Sequence, residues 1–147
     1  MDKLKVLNNK LHIRLLPDAE QPKKSIFSPD AEMLKKAEVL DVGQKVTEIE
    51  KGQIITLYVN SLYMLGTEEA FCTDRDPIFI NGYPREGKVN VGNTEKKTMT
   101  SFTKGIALKS SSGDIDDNDV IYFREGQSHI LPDNTEIISE SQIYFKG

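Results

Sequence analysis

The stretch KGQIITLYVNSLYMLGTEEAFCTDRDPIFING at residues 51–82 has a counterpart in DNDVIYFREGQSHILPDNTEIISESQIYFKG at residues 117–147. Each stretch runs from a polar turn through a strand, a second turn, a short apolar strand and a Gly or Pro turn to a glutamate. After the glutamate come a few apolar residues, a polar turn and an apolar terminal strand. A repeated order of strands and turns predicts a duplicated β unit, although two ordinary β meanders could match by chance. The Gly- and Pro-rich GYPREG at 82–87 then predicts units at 1–82 and 83–147.

The rest of the chain also favours an all-β fold. Short runs rich in Ile, Val, Tyr and Phe alternate with Gly, Pro, Asn and Asp, as in a small barrel or sandwich. DAEMLKK at 30–36 is the one segment that could form a helical turn, and it is too short to be stable alone. The polar stretches 17–29 and 93–104 predict surface loops.

Composition excludes several classes of protein. With 37% hydrophobic and 29% charged residues, the chain is typical of a soluble globular protein. The net charge is -4 and neither half is basic, so nonspecific nucleic-acid binding lacks its electrostatic source. We find neither an apolar run of about 20 residues, which a membrane helix needs, nor a signal peptide. Cys72 is the sole cysteine, which excludes an internal disulfide and predicts a cytoplasmic location, in the host cytoplasm if the protein is viral.

No motif indicates an enzyme, a cofactor or a metal site. His12, His129 and Cys72 are too few for a four-ligand zinc site and belong to no triad pattern. GDIDDNDVIYFRE at 113–125 matches part of a calcium-loop template. However, Asp119 replaces the required glycine and no helices flank the segment, so a charged turn before a strand is the favoured interpretation.

The first polar loop contains two apolar residues, Ile26 and Phe27, with no alternating pattern that would bury them. They either pack on their own domain or are held out for a partner. Docking both side chains in a partner's groove would contribute roughly 3–6 kcal/mol to binding. Ordering the loop would cost several kcal/mol of that gain. Such weak contacts become useful when they are repeated around a ring.

The first unit resembles the GroES family, the small co-chaperonins, over nearly all of residues 4–80. The resemblance rests on the order and spacing of five segments: KVLNNKLHIR (5–14), KSIFSP (24–29), AEVLDVG (37–43), EKGQIITLY (50–58) and TEEAFCTDRDPIFI (67–80). Two features depart from the family: Lys24 and Ser25 replace its paired glycines, and the six residues between Gly43 and Glu50 leave no room for its roof hairpin. The second unit resembles the family only in its latter half, 105–145.

This resemblance implies two small GroES-like β-barrels in tandem, the second degenerate, with a mobile loop at about 17–36 in the first. It implies a non-enzymatic co-chaperonin that caps a GroEL-type chaperonin ring in a nucleotide-dependent way and assists protein folding. The loop residues Ser25, Ile26, Phe27 and Ser28 would bind the chaperonin, and the subunits would form a ring, as a heptamer.

The departures from the family would suit a virus-encoded version, as in a bacteriophage. The alternative is a non-enzymatic structural or decoration β-module, for example a viral particle accessory protein. In that case residues 17–29 would form an ordinary surface loop.

Overall fold

The fold is all-β, as the sequence predicts. The computed structural model describes residues 4–21, 33–96 and 102–147, and these contain antiparallel strands joined by turns and three short 3-10 helices. The 3-10 helices lie at Asp18–Glu20, Val59–Ser61 and Glu140–Gln142. The described residues divide into two compact units, 4–21 with 33–82 and 83–96 with 102–147.

The strands of the first unit form one antiparallel sheet. They are β1 (Lys10–Leu15), β2 (Leu34–Val42), β3 (Ile54–Tyr58), β4 (Tyr63–Met64), β5 (Glu69–Thr73) and β6 (Phe79–Ile80). Their hydrogen-bonded order is β4-β5-β1-β2-β3-β6. Because side chains alternate between the two faces of a strand, one face of this sheet is apolar and buried. The buried core comprises Leu11, Ile13, Ala37, Val39, Ile49, Ile55, Leu57, Ala70 and Cys72.

The second unit opens with the short strand β7 (Tyr83–Pro84), which is not part of the unit's own sheet. The further strands are β8 (Lys88–Lys96), β9 (Phe102–Ser110), β10 (Val120–Arg124), β11 (His129–Ile130), β12 (Glu136–Ser139) and β13 (Ile143–Lys146). This sheet has the order β11-β12-β8-β9-β10-β13. Its buried core comprises Val89, Val91, Ala107, Ile115, Ile121, Phe123 and Ile138.

Two local predictions were wrong. Residues 34–36 form the start of β2 rather than part of a helical turn, because their backbone groups pair with β3. Most of the loop expected at 93–104 is a continued hairpin, with β8 reaching Lys96 and β9 starting at Phe102. There Glu95 faces Lys104 across the two strands, and opposite charges in that position stabilise a β ladder.

The two units have the same strand order and the same register. From β3 to β6, each residue corresponds to the one 66 positions later, since Ile55 faces Ile80 where Ile121 faces Lys146. The correspondence extends to the preceding strands, which the sequence comparison did not reach. The β1–β2 pair has its register shift after His12, and the β8–β9 pair has one after Asn90.

The turn that leads into β3 recurs before β10. In residues 50–53 and again in 116–119, the fourth side chain accepts a hydrogen bond from the first backbone N–H, at 2.9 and 2.8 Å. The third residue, Gly52 or Asn118, has a positive φ in both turns. The acidic segment before β10 therefore has a turn-forming role. Within the described ranges, no group of three or more His, Cys, Asp or Glu residues is placed to hold a metal ion.

Two equivalent positions on neighbouring strands show how core packing differs between the units. The first unit has Leu57 where the second has Phe123, and Ala37 where the second has Gly105. A Cβ at Gly105 would lie 2.3 Å from Cγ1 of Val91, so even an alanine is too large there. In the second unit, the larger side chain of Phe123 on β10 is thus accompanied by the smaller residue Gly105 on the neighbouring strand β9.

Cys72 is part of the first core and provides a test of its packing. Burial, followed by the negative charges of Asp76 and Asp74, raises the pKa of this thiol from 9.0 to about 12. Because the thiolate is the reactive form and its fraction at pH 8 falls with this rise in pKa, we expect a thiol reagent to modify the folded protein about a thousandfold more slowly than the urea-unfolded chain. Equal rates in the two states would contradict a buried Cys72.

The same pKa shift has a consequence for stability. Between about pH 9 and pH 12 the unfolded chain releases the thiol proton while the folded chain keeps it. The free energy of unfolding should therefore fall as the pH rises through this interval. A Cys72→Ala variant should lack this component of the pH dependence, measured by urea titration at each pH.

Candidate functional site

The four residues expected to bind a chaperonin, Ser25, Ile26, Phe27 and Ser28, lie outside the described residues. The structure does describe the chain on both sides of them, up to Gln21 and from Met33. These flanking residues form the base of the loop, and their contacts determine how the loop is attached to the first unit.

The side chain of Gln21 holds the base of the loop together. Its Nε2 donates to the backbone carbonyls of Leu16 at 2.8 Å and of Lys36 at 3.0 Å. Its Oε1 accepts a hydrogen bond from the backbone N–H of Lys36 at 2.7 Å. The carbonyl of Lys36 also accepts a bond from the N–H of Leu16 at 3.0 Å. One amide side chain thus links the end of β1 to the start of β2.

The far side of the loop is attached to β3. The carbonyl of Met33 accepts a hydrogen bond from the N–H of Val59 at 2.9 Å, and the next residue, Leu34, faces Tyr58. Leu34 is buried. The chain on each side of segment 22–32 is therefore held to the first unit by hydrogen bonds.

The units differ most in this connection. In the first unit, 18 residues separate Leu15 at the end of β1 from Leu34 at the start of β2. In the second unit, the equivalent strands β8 and β9 are separated by the five residues 97–101. Because the two sheets have the same strand order, the fold does not require a long connection here.

We expect the substitution Gln21→Ala to destabilise the base of the loop. It leaves the backbone groups of Lys36 without their side-chain partner, so the free energy of unfolding should fall by about 1–3 kcal/mol. Gln44→Ala is the matched control, since within the described residues Gln44 accepts one hydrogen bond, from the exposed backbone N–H of Asn8. Urea unfolding followed by circular dichroism measures the free energy of unfolding of both variants. Equal losses would contradict the clamp, by which we mean the three hydrogen bonds that the side chain of Gln21 makes with Leu16 and Lys36.

A groove of about 490 Å³ lies elsewhere on the first unit, between the N-terminal segment and the sheet. Its lining residues are Lys5, Val6, Leu7, Lys10, Tyr63, Phe71, Cys72 and Thr73. Phe71 stacks on His12 with ring centroids 5.1 Å apart, and Nε2 of His12 lies 3.2 Å from Oε1 of Glu69. Tyr63 is 74% exposed at the open side of the groove.

The second unit presents an aromatic cluster on its last strand. Phe102 packs against Tyr144 and Phe145, with ring centroids 5.2 and 5.9 Å apart. Tyr144 and Phe145 are 49% and 60% exposed, and β13 is the final strand of its sheet order. Aromatic side chains exposed on an edge strand are typical of interaction surfaces.

The sequence predicts the loop, but it gives no indication of Gln21 or of the groove. Gln21 lies in a polar run that has no strand pattern, and its hydrogen-bond partners are set by the pairing of β1 with β2. The groove combines an N-terminal segment with strands that are more than 50 residues away in the chain. Neither feature has a local sequence signal.

Comparison with known proteins gives no assignment, since no family profile and no curated protein matches this chain. Across the described parts of the chain, no helix has the length and apolar character needed to cross a membrane.

Proposed function

We propose that this protein is a co-chaperonin that closes a GroEL-type chaperonin cage in a nucleotide-dependent way and assists protein folding in the cytoplasm. The finer fold assignment, two tandem GroES-like β-barrels, is part of the proposal. The observation that carries it is the loop base, where Gln21 and the contacts of residues 33–34 hold both ends of a segment that contains Ile26 and Phe27.

In this mechanism Ile26 and Phe27 enter an apolar groove on the chaperonin, with Ser25 and Ser28 beside them. Burial of both side chains contributes roughly 3–6 kcal/mol per loop before the cost of ordering the loop is subtracted. A base held by hydrogen bonds lowers that cost, because only the residues beyond the base need to be ordered on binding. The net contact remains weak enough for nucleotide-driven release.

The proposal includes self-association into a ring, with a heptamer as the expected size. A ring makes every loop contact after the first effectively intramolecular, so weak loops combine into a firm cap. The exposed edge strand β13, with Tyr144 and Phe145, supports self-association because such an edge can pair with another chain.

Co-sedimentation with a GroEL-type chaperonin tests the proposal, with ATP, with ADP and without nucleotide. We expect binding only with nucleotide, and we expect the double substitution Ile26→Asp, Phe27→Asp to reduce it below detection because both anchors become charged. Ile130→Asp is the control, since Ile130 is an exposed apolar residue of the second unit. This variant should bind the chaperonin as the unchanged protein does. Nucleotide-dependent binding that survives the double substitution would contradict the assigned loop residues.

The second candidate function is a structural or decoration module, such as an accessory protein of a viral particle. The aromatic cluster of Phe102, Tyr144 and Phe145 favours it, because this surface could attach the protein to a larger assembly. No binding to the chaperonin under any nucleotide condition, together with assembly that depends on Tyr144 and Phe145, would support this function instead.

A further inference from the structure

We propose that the groove on the first unit binds an extended peptide segment of a partner protein, one in which apolar side chains alternate with carboxylates. The groove is separate from the base of the loop and lies entirely within the first unit. Its volume, about 490 Å³, is in the range of pockets that accept ligands.

The apolar exposure at this groove is not a requirement of the fold. The second unit has the same strand pairing, yet His129 occupies the position of Tyr63 and Ile137 that of Phe71. Tyr63 is 74% exposed and Leu65 is 45% exposed, whereas Leu131, which occupies the position of Leu65 in the second unit, is buried. An apolar patch that the repeated fold does not require is typical of a binding surface.

The charges around the groove favour an acidic occupant. Among the described residues, Lys5 and Lys10 line it and no carboxylate does, and Nζ of Lys10 donates to the neutral Oδ1 of Asn9 at 3.2 Å. The nearby carboxylate of Asp76 accepts bonds from the N–H and the hydroxyl of Thr73, at 2.8 and 3.1 Å. The charged side chains on the rim are therefore both cationic, although Asp74 and Asp76 lie close enough to act on Cys72 and the whole chain has a net charge of -4.

The strand that borders the groove favours an extended occupant. β4 is the first strand in its sheet order and pairs only with β5 in the described sheet, so its outer edge is open. An incoming segment can add to such an edge through backbone hydrogen bonds, while its alternate side chains enter the neighbouring pocket. One face of the segment would contact Leu7 and Tyr63, and its carboxylates would reach Lys5 and Lys10.

Fluorescence anisotropy with labelled octapeptides tests this inference on the full chain. The first probe alternates isoleucine with glutamate, the second alternates isoleucine with lysine, and the third alternates serine with glutamate. We expect the first probe to bind with a Kd below about 1 mM, and at least about tenfold more tightly than either of the others. Its affinity should also fall as salt concentration rises.

Variants locate the binding site. The double substitution Lys5→Glu, Lys10→Glu and the single substitution Tyr63→Ser should each weaken the first probe by about tenfold, since they remove the cationic rim and the aromatic wall. Lys51→Glu and Ile130→Ser are controls at exposed positions outside the groove, and they should leave affinity unchanged. Circular dichroism establishes that each variant is folded.

Three outcomes would overturn the inference. They are no binding of the first probe at about 1 mM, equal binding of the acidic and basic probes, and equal effects of the groove and control variants. Self-association that is abolished by Tyr63→Ser, and that excludes the probe, would assign the groove to a second copy of this chain. The proposed chaperonin binding depends on Ile26 and Phe27, which are not part of the groove. Peptide binding at the groove and chaperonin binding through the loop can therefore each fail without the other.

Discussion

The substitution Phe123→Ala is expected to lower the free energy of unfolding by about 3–5 kcal/mol. Phe123 is 1% exposed at the centre of the second core, on a strand that pairs with β9 on one side and β13 on the other. Removing its ring forfeits the burial of a large apolar side chain and leaves a cavity that strands on both sides cannot close. A loss of this size is a large share of the total stability of a small domain.

Phe145→Ala is the matched control for Phe123→Ala. Phe145 lies in the same unit but is 60% exposed, so its truncation should cost less than about 1 kcal/mol. The chain contains no tryptophan, so urea unfolding is best followed by far-ultraviolet circular dichroism. Similar losses for the two variants would show that Phe123 is not in a tightly packed core.

Gly43→Ala is expected to be the most damaging of the glycine substitutions, with a loss of about 3 kcal/mol. A Cβ at this position would lie 2.1 Å from the carbonyl oxygen of Asn8 and 2.7 Å from the carbonyl carbon of Leu7. Both neighbours are backbone atoms and cannot rotate away. The carbonyl of Asn8 also accepts a hydrogen bond from the N–H of Lys45 at 2.9 Å, which a shift of the backbone would break.

Gly66→Ala is the control for this prediction because a Cβ there would meet no atom within 4 Å. Gly66 has no positive φ, so alanine is not strained at that position. The thermal midpoint of Gly66→Ala should stay close to that of the unchanged protein, whereas Gly43→Ala should unfold at a much lower temperature. If Gly43→Ala were as stable as Gly66→Ala, the close approach of residues 7 and 8 to Gly43 would be wrong.

The all-β fold could be predicted because strand residues and turn residues alternate along the whole chain. The repeat was visible only from residue 51 onward and from residue 117 onward, where the turns coincide in both copies. The repeat was not visible in the strands that precede residues 51 and 117. Leu11 and Ile13 of β1 correspond to Val89 and Val91 of β8, and a β pair requires only apolar side chains at alternate positions. Such a requirement leaves little sequence similarity to detect.

The loop was predicted from the polar stretch 17–29 and from the resemblance to the GroES family, and its role as a chaperonin contact through Ile26 and Phe27 remains a prediction. Its boundaries could not be predicted, because β2 begins at Leu34, inside the segment assigned to the loop. Lysines 35 and 36 resemble loop residues, yet they are strand residues here because Leu57 and Thr56 of β3 face them. Pairing with another strand overrides local polarity.

The sequence by itself determined the all-β class, the repeated order of strands and turns, and the position of Ile26 and Phe27 in a polar segment. These follow from local alternation and turn chemistry, which need no distant partner. The tertiary structure alone decided the full correspondence between the units, the clamp made by Gln21 and the groove beneath Tyr63. Each of these depends on which distant backbone and side-chain atoms the register of the strands brings together, and that register is set by burial of one face of each sheet.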